Sequence, residues 1–168
     1  MKKYITILIL IIVGCNQSPK STKEKLNYPN VVGDIEYNSE LDGEFERCDN
    51  FSNQYYGINR GFGFKGEMSK IKEKLKVNFK LKKDNSQTGF VTIRFVVNCK
   101  GESGMFRIHS TDLLLNKFNF KKEVINQLIK ETKKLKDWKI AEYNGNTYDY
   151  YQYLTYKLIH GEIVDIAP

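Results

Sequence analysis

The chain has 168 residues, 40% hydrophobic and 28% charged, with 27 Lys+Arg against 20 Asp+Glu for a formal net charge of +7. That length suits one domain of ordinary size. Two lone histidines and three widely spaced cysteines exclude the ligand spacing of a zinc site. No nucleophile elbow or zinc-protease helix is present either, so we expect a non-enzyme that uses neither metal nor cofactor.

Met1-Lys2-Lys3 gives a short basic start, and Tyr4 to Val13 is apolar apart from Thr6. A run of about ten residues is half of the roughly twenty that span a bilayer, and it suits the core of a signal peptide. It ends in Ile12-Val13-Gly14-Cys15, which resembles the bacterial lipobox. The resemblance implies cleavage before Cys15, a thioether-linked lipid on its sulfur and acylation of the new amino terminus. In the sorting rule of enterobacterial lipoproteins, Asp after the cysteine retains a protein in the inner membrane, so by that rule Asn16 favours the outer one. Removing residues 1–14 takes away Lys2 and Lys3 and leaves +5. Such a charge suits anionic lipid or another polyanion, and nucleic acid is not expected as a partner beyond the inner membrane.

Residues 15–33 read as the lipidated cysteine and a polar tether with Pro19 and Pro29. As a coil, its 18 residues from Asn16 span about 25 Å. A single domain over 34–168 follows. Its first stretch, 34–50, is acidic (Asp34, Glu36, Glu40, Asp42, Glu44, Glu46, Asp49) and lacks the ligand spacing of an EF-hand, so it reads as a solvated edge. Phe51 to Gly66 alternates aromatics and glycines but lacks the Gly-Lys-Ser/Thr ending of a phosphate loop, and turns with packed aromatics are expected.

From Glu67, Met68, Ile71, Leu75 and Phe79 recur at helical spacing. Phe90 to Asn98 alternates with period two, Val91, Ile93, Phe95 and Val97 against Thr92 and Arg94, which predicts a strand. Residues 98–102 supply a turn, and Met105 to His109 returns as its hairpin partner. A helix is predicted over 119–135, with Phe120, Val124, Leu128 and Leu135 on one face. Trp138 is expected to plug its end in the core. Asn144-Gly145 is a tight turn, and Tyr148 to His160 is a tyrosine-rich last strand. The order helix, strand, strand, helix, strand predicts an α+β domain with helices on one face of a small antiparallel sheet. Cys48 and Cys99 either form a disulfide in an oxidising compartment or remain two separate thiols. His109 and His160, near Asp112 and Glu162 in sequence, read as surface histidines.

Residues 67–160 resemble the TonB carboxy-terminal domain family. The resemblance rests on Val91-Thr92-Ile93-Arg94-Phe95-Val96-Val97-Asn98 followed by Gly101, on the return from Gly104 to His109, on the Trp138-Lys139 helix exit, and on Asn144-Gly145 before the last strand. It implies two strands, a helix and a third strand, and a surface that binds a short peptide by adding it as a strand. The chain departs from the family in its cleavable lipoprotein signal, in lacking a long Pro-rich span, and in Ile140 where the family has a proline. A lipid-anchored protein-binding relative without energy transduction is expected, with the exposed face or unpaired edge of the last strand as the binding surface and Tyr151, Tyr153 and Thr155 as partner-binding residues. The alternative is an envelope-structural role in which Lys70, Lys74, Lys122 and Lys133 form a basic face for anionic lipid or cell-wall polymer.

Overall fold

Alternating burial along Gly89–Val97 places Val91, Ile93, Phe95 and Val97 on one face with no exposed surface, and the fold is assembled around that strand. The computed structural model describes residues 35–48, 53–55, 59, 61–80 and 83–168, all within a unit spanning Val31–Pro168. The readings of the signal peptide, Cys15 and the tether lie outside the described residues.

In chain order the elements are α1 (Ser39–Asp42), β1 (Asn53–Gln54), α2 (Glu67–Asn78), β2 (Gly89–Val97), β3 (Ser103–Thr111), α3 (Lys122–Lys133), β4 (Ala141–Tyr143), β5 (Asn146–Tyr148), β6 (Tyr150–Ile159) and β7 (Glu162–Ala167). The chain is mixed α/β. Strands β7, β6, β2 and β3 make an antiparallel sheet, and β1 adds two residues parallel to the start of β6. β4 and β5 form a separate hairpin whose turn residues, Asn144 and Gly145, take φ of 50° and 76°, the left-handed pair that a two-residue hairpin turn needs.

The helical spacing read from the sequence is reproduced: α2 buries Ile71 and Leu75, and α3 buries Val124 and Leu128. Both helices contribute to the core on the Val91–Val97 face, which also takes Leu154, Tyr156 and Leu158 from β6. Helix α3 starts later than the predicted residue 119. Lys121 donates its main-chain N–H to Gln87 Oε1 at 2.7 Å, which holds the chain extended while Phe120 enters the core. Trp138 is buried against Phe64 and Phe95, with ring centroids at 4.8 and 5.0 Å, and its Nε1 donates to the Leu135 carbonyl at 3.0 Å.

Two features differ from the sequence expectation. The tyrosine-rich strand is not the last one, because His160 and Gly161 turn the chain with φ of 52° and 80° and β7 folds back along it. The second sheet face also carries its own small cluster of Ile35, Val96 and Met105 with Phe45. The 35–48 strap therefore covers part of that face, away from the two long helices.

Candidate functional site

Residues directly opposite in an antiparallel pair point to the same side, so the register maps the outer face of the sheet. Arg107, Arg94 and Tyr153 lie in one row across β3, β2 and β6, and His109, Thr92 and Thr155 lie in the next. Thr92 and Thr155 join their hydroxyls at 3.1 Å. Arg107 makes a bidentate pair with Asp42 at 2.7 and 2.8 Å and donates to the Glu36 carbonyl at 2.6 Å. The Arg107 guanidinium holds the Asp42 carboxyl below the usual carboxylate range, against the opposing effect of its burial. This pair pins the strap across the first row.

Arg94 is half-buried beneath it. Its guanidinium carbon lies 5.9 Å from the Tyr151 ring centroid, and its buried Nη2 has no hydrogen-bond partner among the described residues.

The three tyrosine-strand residues fare differently. Tyr151 is buried, whereas Tyr153 and Thr155 are half-buried on the outer face. The expectation that this strand offers an unpaired edge is corrected by the topology. The side of β6 away from β2 pairs with β1 at Tyr150 and Tyr151 and with β7 from Thr155 to Ile159. Between them lies a cleft of about 140 Å³ lined by Tyr55, Phe62, Gln152 and Tyr153 among others. The Tyr153 carbonyl there accepts a hydrogen bond from Gln152 Nε2 at 3.0 Å.

The described sheet ends instead on β3, which among the described residues pairs as a strand with β2 alone. The Ser110 carbonyl turns outward to accept the Phe118 N–H at 3.2 Å, and by strand alternation Ile108 turns its main-chain groups the same way. The Ile108 side chain is 40% exposed. This edge was missed in the sequence because Met105 to His109 could be read as a strand but not as the terminal one. Only the sheet order tells the two apart.

Cys48 and Cys99 form a disulfide with Cα atoms 5.9 Å apart. A carboxylate oxygen of buried Asp149 lies close to both sulfurs, which are bonded to each other and so are not thiolate ligands for a metal. The Asp149 oxygens instead accept the main-chain N–H of Cys48 at 2.9 Å and of Cys99 at 3.0 Å. His109 and His160 are exposed, and the His160 N–H is bonded to Thr88 Oγ1 at 3.0 Å.

The lysines expected to form one face are divided. Lys70 pairs with Glu73 and Lys74 with Asp137, while Lys133 sits 5.2 Å from the centroid of Phe106. A shallow groove along the end of α3 gathers Lys130, Lys133, Lys134 and Lys136 around Ile129. Compared with protein-family models, curated proteins and solved structures, the chain matches none.

Proposed function

We propose that the chain is a lipid-anchored protein of the cell envelope that binds an extended segment of another envelope protein by adding it as a strand to its sheet, without catalysis or energy transduction. The observation that carries this reading is the outer side of β3, where Ile108 turns its main-chain groups outward and no strand among the described residues lies beside it. An edge of this kind is a template for another chain. Tyr151, Tyr153 and Thr155 then serve from the outer face, with Tyr151 acting through Arg94. Two further features support the reading. The order of hairpin, helix and strand resembles that of the TonB carboxy-terminal domain family, with the β4–β5 hairpin and β7 as additions, and a disulfide suits an oxidising compartment.

The test is photocrosslinking of the full chain in intact cells, with the reactive group at Ile108 or, for comparison, at Thr155. One defined protein captured from Ile108 is the expected result, and its capture from a reactive group at the neighbouring exposed His109 should be lost when Ile108→Pro removes the outward N–H. Capture from Thr155 alone would move the site off the edge, and no protein captured from either would sink strand addition.

The lysine groove of α3 favours a second reading, contact with anionic lipid or cell-wall polymer. It predicts binding that collapses with added salt and with Lys130→Glu and Lys134→Glu together.

A further inference from the structure

The loop leaving β3 carries the most exposed run of aliphatic side chains among the described residues. Leu113, Leu114 and Leu115 are 46%, 82% and 72% exposed. Single exposed apolar residues are ordinary, but three in succession are not. The loop is also well ordered by its own bonds. Thr111 and Lys117 close its base in an antiparallel bridge. One oxygen of Asp112 accepts the N–H groups of Leu114 and Asn116 at 2.8 and 2.9 Å, and the other accepts the Asn116 side-chain amide at 3.2 Å. The Asp112 N–H donates to the Asn116 carbonyl at 2.9 Å, and the Leu115 N–H donates to the Asp112 carbonyl at 3.2 Å. Leu115 sits at φ 66°, a backbone conformation that an aliphatic residue rarely adopts. Polar groups turn inward and leucines outward, so the loop is built to present an apolar tip to something other than water.

We propose that this tip inserts into the interfacial layer of an anionic phospholipid bilayer. Three features favour a bilayer over a pocket on a protein. The apex is a knob of aliphatic side chains without the aromatic or arginine anchors that dominate protein interfaces. Its one acid, Asp112, is turned into the loop, whereas Lys117 at its base and Lys122 at the head of α3 are exposed. Lys121 beside them pairs with Asp84, and the exposed Glu123 offsets one of the two remaining lysines, so the rim is only weakly cationic. An apolar tip whose rim is weakly cationic is compatible with anionic headgroups, and it is the aliphatic tip itself that chiefly favours a bilayer. Finally, the 20 residues from Cys15 to Asp34 have a contour of up to about 70 Å, so lipid on Cys15 would keep the loop within reach of the bilayer. This last point rests on the anchoring proposed above; the first two do not.

The test uses the full chain with Leu114→Trp as a reporter, in vesicles of phosphatidylcholine and phosphatidylglycerol, with brominated lipid as the quencher. Trp138, the chain's one tryptophan, is buried and gives a constant background. The expected result is a blue-shifted reporter that loses most of its intensity to brominated lipid. Adding Leu113→Ser and Leu115→Ser should remove most of that quenching while the chain still floats with the vesicles.

Flotation without quenching overturns insertion and leaves the anchor standing. Quenching unchanged by the serines also overturns it, because the anchor alone would then bring the reporter to lipid. Quenching that survives Cys15→Ser supports insertion by the loop itself and leaves the anchor reading untouched. A reporter that shifts only when envelope proteins are added assigns the loop to a protein partner and overturns the proposal.

Discussion

Asp149 has no exposed side-chain surface, and its two oxygens take main-chain N–H groups from separate segments, Cys48 and Cys99. A buried donor left without an acceptor costs about 1–3 kcal/mol. Asp149→Leu strands two of them, so we predict a loss of about 2–5 kcal/mol in unfolding free energy by urea titration. Asp149→Asn, which keeps one oxygen, should lose less. Equal losses for the two variants would place the effect in packing. At Asp42 the prediction is one of pH. Its carboxyl is held below the usual value of 3.8, first by the Arg107 hydrogen bond. A group depressed in the folded state stabilises above its unfolded pKa, and that contribution disappears as pH falls through the folded value. Asp42→Asn should therefore lower stability by about 1–2 kcal/mol at pH 7 and by little at pH 2. Parallel wild-type and variant curves across that window would rule out this linkage.

At the scale of elements, Gly104 decides how the strap lies on the sheet. A Cβ there would come within 2.2–2.7 Å of the Phe45 ring, closer than any real contact. Gly104→Ala should expel Phe45 from its cluster with Ile35, Val96 and Met105. Amide exchange of residues 35–45 should then rise sharply while α3 and β6 stay protected, and unchanged exchange would mean that the ring finds another seat. The elements with strong periodicity were legible in the sequence. The Val91–Val97 alternation gave β2, and Ile71 with Leu75, and Val124 with Leu128, gave the buried faces of the two long helices. β7 was not, because its Glu162 and Asp165 dilute the apolar pattern and His160-Gly161 is a weak turn signal beside Asn144-Gly145. β1 has two residues and no pattern at all. The free edge was illegible for another reason, since it depends on which strand lies outermost and not on any local run of residues.

For the whole molecule, the disulfide joins distant parts of the chain. Cys48 ends the strap, Cys99 sits in the β2–β3 turn, and 51 positions separate them. Between the two lie β1, the Gly-aromatic segment, α2 and β2, so the bond closes a loop around much of the core. Restricting an unfolded chain with a loop of that size stabilises the folded state by up to about 4 kcal/mol in the chain-entropy account. A domain of this class has about 5–15 kcal/mol in total, so the bond is a large fraction of the whole. Helix, hairpin and core contacts do not depend on it, and the fold should therefore weaken without changing topology. Reductant should shift the urea midpoint down by an amount equivalent to about 2–4 kcal/mol. Cys48→Ala with Cys99→Ala should reproduce that shift and abolish the response to reductant. Asp149 would still receive both N–H groups in the double variant, because those donors belong to the main chain. The losses from Asp149→Leu and from the cysteine pair should therefore add nearly in full. Strong non-additivity would show that carboxylate and disulfide act as one unit, with the bond needed to bring the two donors to Asp149.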